Sequence, residues 1–338
     1  MPIAPHPPET WIRPTAAGLY CEPGDFYIDP QQPVSRAVIT HAHGDHARAG
    51  NAQVLATPET LAIMQTRYGG DAGGSLQPLG YGERLRVGGT EIRLAPAGHI
   101  LGSAQIVLDF HGVRVVVSGD YKRRADPTCT PFEPVCADLF VTEATFGLPV
   151  FHHPPAAAEI DKLLHSLRLF PDRCHLVGVY ALGKCQRVLA LLRQAGYDEP
   201  IYLHGALLAL TRLYEAFGIA LGAVLPASGV TRDSLKGRIV LAPPSAFAEP
   251  WSRRLPDPVV AQASGWMRIR QRAKASGVEL PLVISDHADW DELNMTLDEV
   301  AAGEVWVTHG REEALVYYAN KRGYRARALT LIGFEEEE

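Results

Sequence analysis

The chain has 338 residues, 46% hydrophobic and 21% charged, a balance that excludes a disordered polypeptide and provides enough apolar material for two domains. A formal net charge of −6 excludes a protein that coats nucleic acid over its whole surface, because phosphate is met by lysine and arginine, and leaves only a local basic groove open. No apolar run nears the roughly 20 residues of a membrane span, and Met1-Pro2-Ile3-Ala4-Pro5 lacks the charged and hydrophobic regions of a signal peptide, so a cytoplasmic protein without membrane contact is expected.

The first strong element is the β-rich run Arg36-Ala37-Val38-Ile39-Thr40, which leads into His41-Ala42-His43-Gly44-Asp45-His46. In an extended segment residues two apart share a face, so His41 and His43 can reach one cation while Asp45 and His46, past the bend at Gly44, reach a neighbouring one. Two ions need more than four side chains, so other segments must contribute. His99 follows a glycine in Ala97-Gly98-His99-Ile100-Leu101-Gly102, Asp120 follows the strand-like Val113-Arg114-Val115-Val116-Val117, and Glu143 follows Leu139-Phe140-Val141-Thr142. Polar residues thus recur where strands end, as ligands do in α/β folds.

From Phe151 to about Leu280 the pattern changes. Helical periodicity in Ala156 to Phe170 and in Gln186 to Gln194, with strand-like Leu176 to Tyr180 and Pro200 to Leu203 flanking the second helix, predicts an α/β insert with a parallel sheet. Within it, Tyr180-Ala181-Leu182-Gly183-Lys184-Cys185-Gln186-Arg187 reads as strand, turn and helix start, where the backbone at Gly183 and the Lys184 amine can bind phosphate. Trp266 and Arg268, in Ser264-Gly265-Trp266-Met267-Arg268, offer an aromatic and a cation to a polynucleotide. His204 reads as structural. Strand-like runs return at Pro281-Leu282-Val283-Ile284-Ser285 before His287 and at Glu304-Val305-Trp306-Val307-Thr308 before His309. The expected boundaries are 1–148 and 275–338 for a split first domain and 149–274 for the insert, and Glu335 to Glu338 are read as a frayed tail.

Candidate basic grooves are Lys122-Arg123-Arg124, Arg253-Arg254, the series Arg268, Arg270, Arg272 and Lys274, and Lys321-Arg322 with Arg325 and Arg327, each weighed against an ordinary solvated face. The five cysteines, without a C-x-x-C pair, suggest neither disulfides nor a thiolate zinc site.

His41-x-His43-x-Asp45-His46, Gly98-His99, Ser118-Gly119-Asp120 and Thr308-His309-Gly310 resemble the ligand set of the metallo-β-lactamase fold. That resemblance implies an α/β protein, an αββα sandwich carrying two zinc ions, with manganese as an alternative. It implies that His41, His43 and His99 hold one ion, that Asp45, His46 and His309 hold the other, and that Asp120 bridges them. Asp29, in Tyr27-Ile28-Asp29-Pro30, matches an early aspartate that supports a ligand.

The fold alone suits lactonases, thioesterases and β-lactamases as well. Glu143 in Thr142-Glu143-Ala144-Thr145-Phe146-Gly147, His287 in Ser285-Asp286-His287-Ala288-Asp289, and His309 resemble, in order, the three added motifs of the β-CASP nuclease branch, to which the insert also corresponds. Two cations polarise a phosphate oxygen and lower the pKa of a bridging water, giving hydroxide for in-line attack, with Asp45 in the catalytic set. His287 then protonates the leaving alkoxide, oriented by Glu143. Compact size, the histidine string, Gly183-Lys184 and the Glu143 motif are together similar to the bacterial ligase-associated DNA exonuclease family. This implies DNA, single-stranded or at ends, as substrate, and an ATP-dependent DNA ligase and a helicase as partners in repair. His309 is similar to the RNA-processing members, which keeps an RNA 3′-end nuclease as the alternative. A non-catalytic nucleic-acid-binding subunit is a third reading, opposed by the complete ligand set.

Overall fold

The computed structural model describes residues 6–329, so the terminal Glu335 to Glu338 lie outside the described residues. The chain forms two compact units, residues 1–152 with 287–338, and residues 153–286.

The first unit begins with a six-stranded sheet in chain order: β1 (Ile12–Thr15), β2 (Gly18–Cys21), β3 (Phe26–Ile28), β4 (Arg36–Val38), β5 (Gln53–Ala56) and β6 (Ser75–Pro78). Helix α1 (Pro58–Tyr68) links the last two, its N-terminus capped by the Thr57 hydroxyl, which accepts from Thr60 N. β7 (Arg84–Val87), β8 (Thr90–Pro96), β9 (Ala104–Phe110), β10 (Val113–Val117) and β11 (Leu139–Ala144) start a second sheet.

Residues 153–286 form a separate parallel sheet from β12 (His175–Gly178), β13 (Ile201–Leu203), β14 (Val224–Pro226), β15 (Ile239–Ala242), β16 (Val259–Ala263) and β17 (Leu280–Leu282), in the order β14-β13-β15-β12-β16-β17. Its helices are α2 (Ala156–Leu169), α3 (Lys184–Gln194), α4 (Gly205–Ala216) and α5 (Arg270–Ala275). The sequence pattern placed the run beginning at Pro281 in the split domain, with the insert ending at 274. The strand instead pairs with β16, Ala263 opposite Leu282, so the second unit extends to Asp286. Alternation identifies a strand but not the sheet it joins.

The chain then returns to the first unit through α6 (Trp290–Val300), β18 (Glu304–Gly310), α7 (Glu312–Lys321) and β19 (Arg325–Ala328). These complete a seven-stranded sheet, β19-β18-β11-β10-β9-β8-β7, in which β18 runs parallel to β11. The pleat of this sheet sorts its side chains. Ile92, Leu94, Ile106, Leu108, Val115, Leu139 and Val141 pack against Ile12, Leu19, Ile28, Val38 and Leu55 of the first sheet. Val107, Val116, Phe140, Val305 and Val307 face the other way, onto Leu293 and Leu297 of α6 and Leu315 and Ala319 of α7. With α1 burying Leu61, Ile63 and Met64, the first unit is an αββα sandwich. Among the described residues no helix is long and apolar enough to cross a membrane.

Candidate metal centre

Every candidate ligand in the first unit leaves a strand end or the turn beyond it. β4 is extended by Ile39, whose N–H donates to Leu55 O at 2.9 Å, and the next residues curl back, with His46 N and Ala47 N both donating to His43 O. Gly98 has φ of +73°, and a Cβ there would come within 2.5 Å of Lys122 O, so only glycine lets this backbone approach that closely. His99 follows it on a turn whose His99 and Ile100 amides donate to Ser103 Oγ. His309 sits on a β-bulge. Glu143 pairs with Thr308 and Ala144 with Gly310, which leaves His309 unmatched at φ of +57°, and such a kink re-aims a side chain.

The ligand atoms of His41, His43, His99 and Asp120 all lie within 4.8 Å of one another, as do those of His46, Asp120 and His309. His43 Nδ1 is 3.1 Å from His41 Nε2 and 3.0 Å from His99 Nε2. A tetrahedral ion with zinc–nitrogen bonds of about 2.05 Å places its ligands about 3.3 Å apart, so the three imidazoles already have close to the spacing of one coordination sphere. Asp120 Oδ2 is 3.5 Å from His41 Nε2 and 3.4 Å from His46 Nε2, while Oδ1 is 3.2 Å from His309 Nδ1. One carboxylate thus faces both groups. The donor set, imidazole nitrogens around a shared carboxylate, fits divalent cations.

Asp29 sets the orientation of His46. Its Oδ2 accepts from the His46 Nδ1–H at 2.7 Å and from Thr40 Oγ1 at 2.6 Å, and its Oδ1 accepts from Thr40 N at 2.8 Å. With Nδ1 held in this way, Nε2 is turned toward Asp120, where the neutral ring would offer a cation its lone pair. Burial pushes the His41 imidazole well below its usual range, and the neighbouring His46 adds to the effect. Burial acts on His46 in the same sense, but the carboxylates of Asp45 and Asp120 override it and hold His46 well above its usual range. For Asp120, burial works against the charged form, yet His46 and the bond from His309 hold the carboxyl well below its usual range.

A third group lies alongside: Asp120, Glu143 and His287. His287 Nδ1 donates to Glu143 Oε2 at 2.9 Å, and Glu143, 1% exposed, also accepts from Tyr121 N at 2.7 Å. The His287 and His99 rings are 4.7 Å apart.

Asp45 stands at the rim: its carboxylate comes within 3.5 Å of His46 Nε2, outside the atoms gathered around Asp120. The expectation of a basic groove needs correcting. Lys122, Arg123 and Arg124 do not form a basic groove. Lys122 is 1% exposed and donates to His99 O at 3.0 Å and to Asp126 Oδ2 at 2.5 Å. Arg123 bonds Thr296 and Glu299, and Arg124 bonds Asp289 and Glu292. Sequence reading missed these partners, although Asp289-Trp290-Asp291-Glu292 before an apolar helix is a recognisable capping box.

No family model matches the chain. A probable DNA ligase of Opitutus terrae is 30% identical over 328 residues, covering 94% of this chain and 31% of that protein. A ribonuclease of Thermus thermophilus is 32% identical over 208 residues, 53% of this chain and 48% of that protein, and an endoribonuclease of Kluyveromyces lactis is 31% identical over 121 residues, 35% and 16%. The chain therefore spans less than half the length of these relatives. A solved structure of a protein of unknown function from Enterococcus faecalis shares the fold, with a TM-score of 0.58 over 88% of this chain and 80% of that one at 15% identity. The chain has the metallo-β-lactamase fold with an inserted α/β domain of the β-CASP type.

In the insert, the residues expected to meet phosphate are placed differently. The Gly183 amide is taken by Gln186 Oε1 at 2.9 Å. Lys184, 3% exposed, lies 2.8 Å from Asp286 Oδ2 and donates to Ile284 O at 2.7 Å, so its ammonium is spent inside the unit. Arg268 is exposed; Trp266 is half-buried with the Arg272 guanidinium 4.1 Å above its ring. His204 caps α4, its Nδ1 accepting from Ala206 N. Cys21, Cys174 and Cys185 are buried, whereas Cys136 is exposed.

Proposed function

We propose that this protein is a nuclease that hydrolyses phosphodiester bonds with two divalent cations, zinc or else manganese, and that it shortens DNA from an end during repair, beside an ATP-dependent ligase and a helicase. The observation that carries the reading is the Glu143–His287 pair, 2.9 Å apart at the edge of the histidine cluster. Holding ions requires no such pair; expelling an alkoxide requires a proton donor.

In this reading His41, His43 and His99 hold one cation, His46 and His309 hold the other with Asp45 as a further carboxylate, and Asp120 serves both. Bound cations polarise the phosphate and lower the pKa of water toward about 7. The chain's own residues do the rest. Asp29 keeps His46 in the donor tautomer, and Ser103 holds the turn that presents His99. His287 keeps Nδ1–H on Glu143 and passes the Nε2 proton to the leaving oxygen. Glu143, fixed by the Tyr121 amide, stabilises the charged imidazole. In the insert, Trp266 and Arg268 are the substrate contacts we propose.

DNA is favoured because the match to the probable DNA ligase of Opitutus runs over 94% of the chain. RNA is the second reading, favoured by the ribonuclease and endoribonuclease names of other relatives. End-labelled single- and double-stranded DNA and matched RNA, incubated with zinc or manganese, separate the two. DNA should be shortened from an end, and His43→Ala should reduce cleavage to background and bound metal from about two ions per chain to about one. Cleavage of RNA alone would overturn the DNA reading, and full activity in His43→Ala would overturn the site.

A further inference from the structure

The arginines after Asp120 were candidates for nucleic-acid contact, yet they are committed to the segment that carries His287. We infer that Arg124 is a positioning residue for the proton donor: its guanidinium clasps the start of α6 and so holds His287 in line with Glu143 and Asp120. This inference rests on the reading of His287 as the group that protonates the leaving oxygen.

Helix α6 starts three residues after His287, with Asp289 as its N-cap. Its capping box is reciprocal: Asp289 Oδ1 accepts from Glu292 N at 3.1 Å and Glu292 Oε2 accepts from Asp289 N at 3.0 Å. Most such boxes use a neutral hydroxyl at the first position. Here both members are carboxylates, Asp289 2% and Glu292 9% exposed, and two buried like charges at this separation repel unless a cation lies between them. Arg124 supplies it, donating from Nη2 to Asp289 Oδ2 and from Nε to Glu292 Oε1, both at 2.7 Å. Each carboxylate therefore uses one oxygen for the helix and the other for the guanidinium. A planar fork spans both; a lysine ammonium is a point charge and does not.

The clasp reaches His287 through two short paths. Asp289 is two residues along the chain, and Ala288, between them, donates its N–H to Tyr121 O at 2.8 Å. Tyr121 N holds Glu143 Oε1 at 2.7 Å. The stretch from Asp120 to Arg124 thus carries a shared metal ligand, the carboxylate behind the proton donor, a backbone bond to the donor's neighbour and the clasp itself. Arg123 adds bonds farther along α6, to Thr296 Oγ1 at 3.2 Å and Glu299 Oε2 at 2.6 Å. Arg124 touches no reacting atom. Its part is to keep the two halves of the site in register, where a displacement of about 1 Å costs on the order of 100-fold in rate.

The test compares two leaving groups in Arg124→Met. End-labelled single-stranded DNA, or matched RNA where the wild type cuts only that, has a basic alkoxide leaving group that needs a proton. Bis(4-nitrophenyl) phosphate has a weakly basic one that does not. The expected result is a loss of about 10- to 100-fold on the oligonucleotide, mostly in kcat, and a much smaller loss on the nitrophenyl ester, with metal content unchanged. Equal losses on both substrates, or no loss, would overturn the inference. Arg124→Lys keeps the charge that lets the capping box fold, and decides the matter where the methionine variant fails to fold. It should lose oligonucleotide cleavage to an intermediate degree, and wild-type activity in it would also overturn the clasp. A wild type that cuts neither oligonucleotide removes the underlying reading of the site instead. Crystal structures then still test the clasp: the His287–Glu143 distance should lengthen in Arg124→Met, and an unchanged distance counts against it.

Discussion

Asp29, a buried side chain behind the histidine cluster, carries several bonds at once. It adopts φ of +43°, unusual for a residue with a Cβ, and from there its carboxylate accepts three bonds, from Thr40 N, Thr40 Oγ1 and His46 Nδ1. Asp29→Ala should strand a buried amide at a cost of about 1–3 kcal/mol and weaken metal binding about 10- to 100-fold. Competition with a chelating dye measures the second effect, and unchanged affinity would show that Asp29 is dispensable to His46. That the histidine string and the aspartate at 120 come together was legible because metal chemistry restricts residue type and spacing. The roles of Lys122 and Arg124 were not, because their partners are distant: 168 positions separate Arg124 from Glu292. A cation in a sequence looks the same whether it faces solvent or a buried carboxylate.

Among the elements, β18 shows how a strand end can mount a candidate ligand. The bulge at His309 depends on Gly310, whose φ is +87° and where a Cβ would approach Ala144 O to 2.5 Å. Gly310→Ala should strain the backbone by about 1–3 kcal/mol and shift His309 away from Asp120. Metal analysis should then find about one ion rather than two, with the His41, His43 and His99 group still filled; two tightly held ions would refute the role given to the bulge. Strand identity at Val113 to Val117, Leu139 to Thr142 and Glu304 to Thr308 was readable from β-branched runs. Assigning β17 was not, because a short apolar strand serves either sheet and only its neighbour, β16, decides.

At the scale of the molecule, the candidate ligands and the proposed proton donor all belong to one unit, assembled from segments on both sides of residues 153–286. Cations binding there stabilise the folded form by mass action, about 2.7 kcal/mol per site at 100 times Kd, which for a unit of this size is about 5 °C or more in Tm. Calorimetry with and without a chelator should record that rise on reloading with zinc, and a Tm indifferent to metal would count against a folded-state site. The split also orders events during synthesis. A ribosome that has completed β11 has produced five of the seven strands of that sheet together with His41 to His46, His99 and Asp120, but neither His287 nor His309 exists until the whole insert has emerged. β11 waits as an open edge for β18 over more than 130 residues of chain. On the proposed reading, an enzyme made in this order stays harmless while it is being translated, and a protein shortened before β18 cannot acquire the activity at all.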